Sequence, residues 1–262
     1  MTANIHPAAH VAPEARLAEG VTVGPGAVIG PDVSIGAGTS IGPGAIIEGH
    51  TTIGRDNQIY GHAVVGSPPQ DKKYEGTPTL LRIGDRNVIR EFVTINPGTE
   101  QDRGETTIGN GNLLMAYVHV AHDCLIGNDN VLANTAQLAG HVEIGDFVTI
   151  GGMSGIHQFV RLGDHAMVGG GSMVTLDVPP YCTAVGNRAR LHGLNLIGLQ
   201  RRGFDADAIQ RLKQAYRMIF RDGLRFKEAL QQVRDTFAGH ADVMKLVTFL
   251  ESSERGVARP GR

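Results

Sequence analysis

The feature that most constrains this chain is a six-residue period of aliphatic side chains. It runs through Ile5, Val11, Leu17, Val23, Ile29, Ile35, Ile41, Ile47, Ile53, Ile59 and Val65, resumes at Ile83, Ile89 and Ile95, and continues from Ile108 to Val174 by way of Leu114, Val120, Ile126, Leu132, Leu138, Ile144, Ile150, Ile156, Leu162 and Val168. Typical units read VTVGPG, AVIGPD and VSIGAG, with a small residue two places before the aliphatic one. Residues two apart on a strand share a face, so both point inward, and the next positions turn a corner. This is the hexapeptide signature of a parallel β-helix. Three hexads close one triangular coil, and residues 18 apart stack at roughly 4.8 Å, the strand spacing. The resulting prism is stabilised mainly between neighbouring coils. Its composition agrees: glycine is 36 of 262 residues, tryptophan is absent and aromatics are 5%, so the interior is built from small aliphatic side chains.

Two segments break the period. Residues 66–82 lack aliphatics at the expected places, and 99–107 shifts the phase by one residue; both read as loops thrown out from the prism, where ligand contacts tend to sit. After Pro179-Pro180 the spacing becomes helical, as in Ile209, Leu212, Tyr216, Ile219 and Phe220, with Asp205 as the expected N-cap. Further helices are expected near 191–201, 226–237 and 241–253, and a frayed tail at 254–262. The expected division is therefore a β-helix over 1–186 and an α-helical domain over 187–262.

The net charge of −2 conceals an asymmetry: residues 1–186 carry 9 Lys/Arg against 18 Asp/Glu, whereas 187–262 carry 15 against 8. The C-terminal part can attract an acidic partner. No run approaches the ~20 apolar residues of a membrane span, and no secretory leader opens the chain. Cys124 and Cys182 form no metal-ligand spacing, which fits a reducing compartment. A cytoplasmic protein is expected, without stable membrane insertion and without nucleic acid as a partner.

The histidines locate the chemistry. Adding 18 to His122 gives Gly140, beside His141; adding 18 again gives Gln158, beside His157. These residues therefore line one edge of three successive coils, whereas His165 is out of phase and belongs to another edge. In the stretch Val118–Asp123, Val120 points inward, His119 faces outward on the strand, and His122 with Asp123 occupies the corner. Imidazole titrates near neutrality and can take a proton from a hydroxyl and return it. Asp123 can fix its tautomer and stabilise its charged form. No Ser or Cys stands beside these histidines in a nucleophile motif, which favours direct transfer over a covalent intermediate. A different chemistry also fits histidines on such an edge: zinc held by His119, His122 and His141, as in the γ-class carbonic anhydrases.

The hexad prism with a helical C-terminal part, together with PQDKKY (69–74), IGDRN (83–87), NLLMAYVHVAHDC (112–124), LAGHVEIGDF (138–147), GGMSGIHQF (151–159), DVPPY (177–181) and RRGF (201–204), closely resembles the UDP-N-acetylglucosamine O-acyltransferases, which begin lipid A biosynthesis. The resemblance covers essentially the whole chain. It implies a left-handed β-helix, a homotrimer with active sites in clefts between adjacent prisms, and transfer of a 3-hydroxyacyl group from acyl carrier protein to the 3-hydroxyl of UDP-N-acetylglucosamine, with neither cofactor nor metal. By position, His122 would be the general base, Asp123 its orienting carboxylate, and the Gly140 N–H the oxyanion donor. His119, His141, His157 and Gln158 would line the cleft. Asp71 and Lys73 would reach the sugar and phosphates, and Asn195, Arg201 and Arg202 would hold the nucleotide diphosphate. Gly170 matches a glycine that in relatives leaves the acyl groove open. Arg161, Arg188, Arg201, Arg217 and Arg221 are candidates to receive the acidic carrier protein.

Two positions depart from the family pattern: Ile197 stands where relatives commonly carry an acidic residue, and Asn96 where a histidine is often seen. The later N-acyltransferase of the same pathway resembles the chain less, because it carries an extra N-terminal domain and here the hexads begin by Ile5. A non-catalytic solenoid is the reading from another class, and the aligned histidines argue against it.

Overall fold

The computed structural model describes residues 2–261. Among them, strands β1 (Asn4–Ile5) to β26 (Met173–Val174) are short segments of two to four residues, and each ends on one of the aliphatics of the six-residue period. They pair only in parallel, forming three sheets that are the faces of a prism. The uninterrupted register is 18 residues, as in Asn4↔Thr22 and Leu138↔Ile156. The residue two places before each aliphatic is also inward: Ala27, Ala45, Val93 and Val118 are fully buried. On one face that position is taken by asparagine in Asn57, Asn87, Asn112 and Asn130. Their carboxamides form a ladder in which Asn57 Oδ1 accepts from Asn87 N–H at 2.8 Å and Asn87 Oδ1 from Asn112 N–H at 2.9 Å. Buried amides are tolerated here because neighbouring coils supply partners to the ladder, all but the Nδ2 of Asn130 at its end.

The two interruptions are insertions within single coils. Ile53 pairs with Ile83, and Ile83 with Ile108, so the first insertion lengthens its coil by twelve residues and the second by seven. Both loops are shorter than the lost period suggests. Strand β12 (Leu80–Ile83) begins inside the expected loop 66–82, and β15 (Glu105–Ile108) inside 99–107, because Leu81 and Thr106 already point inward and are fully buried.

The first expected helix is corrected. Residues Arg190–Leu194 form β28, antiparallel to β27 (Cys182–Val185), and only Leu196–Arg201 is helical (α1). Then follow α2 (Ala206–Phe220), α3 (Phe226–Phe237) and α4 (Ala241–Glu251). Asp205 caps α2, its carboxylate accepting from Ala208 N–H at 2.6 Å. The helices bury Leu199, Leu212, Leu246 and Val247 in a second core that also takes in Tyr181 from the end of the prism.

Over its described residues, 254–261, the tail is not frayed; Arg262 lies outside the described residues. Asp177 N–H donates to Gly256 O at 3.0 Å, and Leu191 N–H to Arg259 O at 3.0 Å, so residues 255–260 return to the prism. Backbone pairing to Asp177 and Leu191 fixes a segment whose own sequence carries little apolar periodicity.

Candidate active site

The third residue after each inward aliphatic turns a corner. There the backbone adopts a left-handed conformation: φ is 58° at Asp123, 62° at His141 and 63° at Phe159. Successive corners are six residues apart, so three edges alternate. Asp123, His141 and Phe159 share one edge; Phe147 and His165 share a second; Met153 belongs to the third.

Both loops leave the prism on the first of these edges. Val65, Ile95 and Val120 stack in register in one sheet, and each is the last inward residue before a loop or before His122. The loops also hold each other, with Glu75 N–H donating to Glu100 Oε1 at 2.7 Å and Gln101 Nε2 to Lys73 O at 2.8 Å. The column Val65–Ile95–Val120 was available in the sequence as a sign that both insertions flank His122.

At this corner His122 Nδ1 lies 2.8 Å from Asp123 Oδ2. The Asp123 side chain is fully shielded from solvent, whereas that of His122 is 14% exposed. Asp123 is also held by the second loop: its oxygens accept from Thr99 N–H at 3.0 and 3.2 Å and from the Thr99 hydroxyl at 2.7 Å. Burial pushes the Asp123 carboxyl up, but the His122 contact, the two Thr99 donors and the charge of His141 outweigh it and hold the group below its ordinary value. Asp123 is thus a carboxylate that accepts from His122 Nδ1–H, which leaves Nε2 as the ring nitrogen turned to the cleft. That Nε2 lies 3.8 Å from Asp71 Oδ2 of the first loop. Asp71 Oδ1 meanwhile accepts from Lys73 N–H at 3.0 Å, and the Lys73 side chain is exposed.

Gly140 stacks on His122 one coil above. A Cβ at 140 would sit 2.5 Å from His122 Cε1 and 2.7 Å from Nε2, so the ring lies where it does only because residue 140 has no side chain. Among the described residues the Gly140 N–H donates no hydrogen bond to the protein. His141 follows, its ring edge-on to His122 at 5.0 Å and stacked on Phe159 at 4.4 Å. Its Nδ1 is 2.6 Å from Asp102 Oδ2 of the second loop and 4.0 Å from Asp123 Oδ2. Thr99, Asp102 and Arg103, which donates to Asp123 O at 3.2 Å, were not singled out from the sequence.

His119 is on the strand face, its Nδ1 2.7 Å from the Thr94 hydroxyl; burial and the neighbouring His122 lower its pKa and keep it neutral. His157 Nδ1 is 2.7 Å from Arg255 Nη2. The same nitrogen lies 3.2 Å from the backbone oxygen of Gln158, so His157 is held between Arg255 and its own chain at the border of the cleft. Gln158 is exposed beside it. Cys124 points inward next to Asp123, and burial pushes its thiol up to about 12, far from the range of a nucleophilic thiolate.

The expected nucleotide residues lie elsewhere on the chain. Asn195 caps α1, its Oδ1 accepting from Gly198 N–H at 3.1 Å and its Nδ2 donating to His165 O at 3.0 Å. Arg202 lies over the Phe147 ring at 4.5 Å, and Arg201 is exposed in the last turn of α1. These three stand at the Phe147–His165 edge and are not brought to His122 within one chain. Ile197 on the same helix is 64% exposed. Gly170 packs closely on the preceding coil: a Cβ there would sit 3.3 Å from Gly152 O and 3.8 Å from Gly152 N. Asn96 ties down the first loop by donating to Ser67 O at 2.9 Å and Pro68 O at 3.2 Å.

The zinc set His119, His122 and His141 is not assembled. Among the described residues the trio whose ligand atoms converge is His122, Asp123 and His141, and the Asp123 oxygens are already taken up by Thr99 and His122. Arg161 is likewise committed: its Nε is 3.3 Å from Asp177 Oδ2, its Nη2 donates to Phe249 O at 3.2 Å and its guanidinium covers the Phe249 ring. It staples α4 to the prism and is not a free carrier-protein contact.

Known proteins match this arrangement over its full length. A family model described as "Udp N-acetylglucosamine O-acyltransferase; Domain 2" matches residues 177–258, and one for the bacterial transferase hexapeptide matches 105–140. The acyl-[acyl-carrier-protein]–UDP-N-acetylglucosamine O-acyltransferase of Thiobacillus denitrificans is 52% identical over 257 residues, covering 98% of this chain and all of that protein. The crystal structure of UDP-N-acetylglucosamine O-acyltransferase from Moraxella catarrhalis superposes with a TM-score of 0.95 at 47% identity, covering 97% of this chain and 99% of the other. The Acinetobacter baumannii structure does so at 0.94 and 44%, with the same coverage. With its left-handed parallel β-helix, its helical C-terminal domain and a histidine–aspartate corner crossed by a bare glycine, the chain belongs to the UDP-N-acetylglucosamine O-acyltransferase family.

Proposed function

We propose that the chain transfers a 3-hydroxyacyl group from acyl carrier protein to the 3-hydroxyl of UDP-N-acetylglucosamine, the first step of lipid A biosynthesis, with His122 as general base. The observation that carries this is the His122–Asp123 pair facing the unused N–H of Gly140. His122 Nε2 takes the proton of the sugar hydroxyl as its oxygen attacks the thioester carbonyl. Asp123 stabilises the imidazolium that forms, and the Gly140 N–H receives the developing oxyanion. Collapse of the tetrahedral intermediate expels the thiolate, to which His122 returns the proton. His141 and His157 line the cleft, while Asp71 and Lys73 of the first loop border the acceptor side. No described helix is long and apolar enough to cross a membrane, and a cytoplasmic site of action fits the substrates.

The working unit is a homotrimer. Asn195, Arg201 and Arg202 stand on a different edge from His122, so one nucleotide can use both only across two chains. The third edge also exposes a stack of His62, Phe92 and Tyr117, with ring centroids 5.4 and 4.9 Å apart, and Met153 at 76% exposure, apolar surface of the kind that neighbours cover. Incubation with 3-hydroxyacyl carrier protein and UDP-N-acetylglucosamine, read by mass spectrometry, tests the reaction. An ester at the 3-position is expected, and its absence, or amide formation with a 3-amino acceptor only, overturns the assignment. Light scattering tests the trimer, and a monomer that is active would overturn it.

A further inference from the structure

Beyond His157 the cleft opens into a cavity of about 570 Å³ between the end of the prism and the returning tail. Four arginines line it: Arg188 from the turn between β27 and β28, Arg190 from the first position of β28, and Arg255 and Arg259 from the tail. Among the described residues no carboxylate lines it. The tail is pinned by its backbone pairing to Asp177 and Leu191, which holds Arg255 and Arg259 opposite the other two. Arg255 is fixed further, its Nε donating to Thr175 O at 2.9 Å and its Nη2 to His157. Arg259 stacks on Phe226 at 3.8 Å. The side chains of Arg188 and Arg190 form no ion pair or hydrogen bond among the described residues. Four like charges around one cavity repel one another unless an anion sits among them. Arg255 also lines a second cavity of about 500 Å³ that reaches His141 and Phe159 and carries Glu143, Asp177 and Glu254, so the basic chamber and the proposed acid–base edge share this residue.

We infer that this chamber binds a phosphate ester, through bidentate contacts from Arg188 and Arg190 with Arg259 completing the cradle. Two substrates of the proposed reaction carry such a group: the phosphopantetheine arm of the acyl donor and the diphosphate of the sugar nucleotide. The proposal uses the acyltransferase reading only to name these sources, and its test needs no turnover.

Calorimetric titration of the full-length protein with 4′-phosphopantetheine, its dephosphorylated form pantetheine, and UDP-N-acetylglucosamine distinguishes them. In the double variant R188Q/R190Q, binding of the phosphorylated source should weaken by about tenfold or more, as expected for the loss of charge-assisted contacts. Pantetheine binding should not change, and R188K/R190K should retain most of the affinity. Weakening confined to 4′-phosphopantetheine assigns the chamber to the donor arm; weakening confined to UDP-N-acetylglucosamine assigns it to the nucleotide. Unchanged binding of both phosphorylated ligands overturns the proposal. Arg190→Gln alone, at an exposed position with no partner to lose, gives the same answer at smaller amplitude if the double variant is unstable.

Discussion

Asp102 Oδ2 lies 2.6 Å from His141 Nδ1, which makes the second loop part of the site and not a bystander to it. The same short segment supplies Thr99 to Asp123 and Asp102 to His141, so both titratable neighbours of His122 are positioned from outside the prism. Asp102→Asn keeps the shape and removes the charge. With His141 Nδ1–H no longer fixed by a carboxylate, kcat/KM should fall by about tenfold, the value of one charge-assisted hydrogen bond, with the pH profile displaced relative to wild type. Asp102→Glu should restore part of the loss. Steady-state kinetics across pH measures both, and an unchanged profile would show that the contact has no bearing on the reaction.

Replacing His122 by alanine removes the base while leaving the prism core untouched, since the side chain is at a corner. The turnover number should fall by about 10²–10⁴-fold, the usual contribution of general base catalysis, with the circular dichroism melt and the assembly mass unchanged.

Gly140→Ala is the sharper steric test. The added methyl would meet His122 at 2.5 Å, and the ring must turn away from Asp123 to admit it. Activity should drop nearly as far as in His122→Ala, whereas Gly140 would tolerate the change if the ring were not held there. Product assays on the purified variant decide it.

Stability should depend on pH through two groups. The folded-state pKa of Asp123 is depressed, so its contribution is fully present above the unfolded carboxylate value and is lost as pH falls through the folded value. His119 is also depressed, from an ordinary 6.5; the unfolded chain binds its proton more readily, so stability declines as pH falls below about 6.5 toward the folded value. Denaturant melts should show Asp123→Asn flattening the acidic limb and His119→Asn flattening the limb below neutrality. Parallel curves for wild type and both variants would contradict these assignments.

Gly170 presents no side chain where a Cβ would already sit 3.3 Å from Gly152 O. In Gly170→Met the long side chain has to turn away from that backbone toward the surface, and the preferred acyl donor should become shorter by several carbons while the KM for the nucleotide is unchanged. Competition between donors of graded length, read by mass spectrometry, measures the shift.

The sequence by itself determined the prism. A six-residue period needs no tertiary information, because the inward aliphatic, the small residue before it and the corner after it are all local, and each coil repeats the instruction of the last. For the same reason the 18-residue register aligned His122, Gly140 and Gln158 and put His165 on another edge. What the period could not reach was everything outside it. The loops carry no repeat, so the approach of Asp71 to His122, of Thr99 to Asp123 and of Asp102 to His141 depends on two insertions folding against one another at a shared corner. Residues 190–194 became a strand and not a helix because β27 offered an open edge to pair with. The tail was ordered by Asp177 and Leu191, residues about 80 and 70 positions away along the chain, and in returning it assembled a basic chamber that no local pattern announces. Contacts between segments so distant in sequence are set by which surfaces the prism leaves unpaired, and only the folded chain shows where those are.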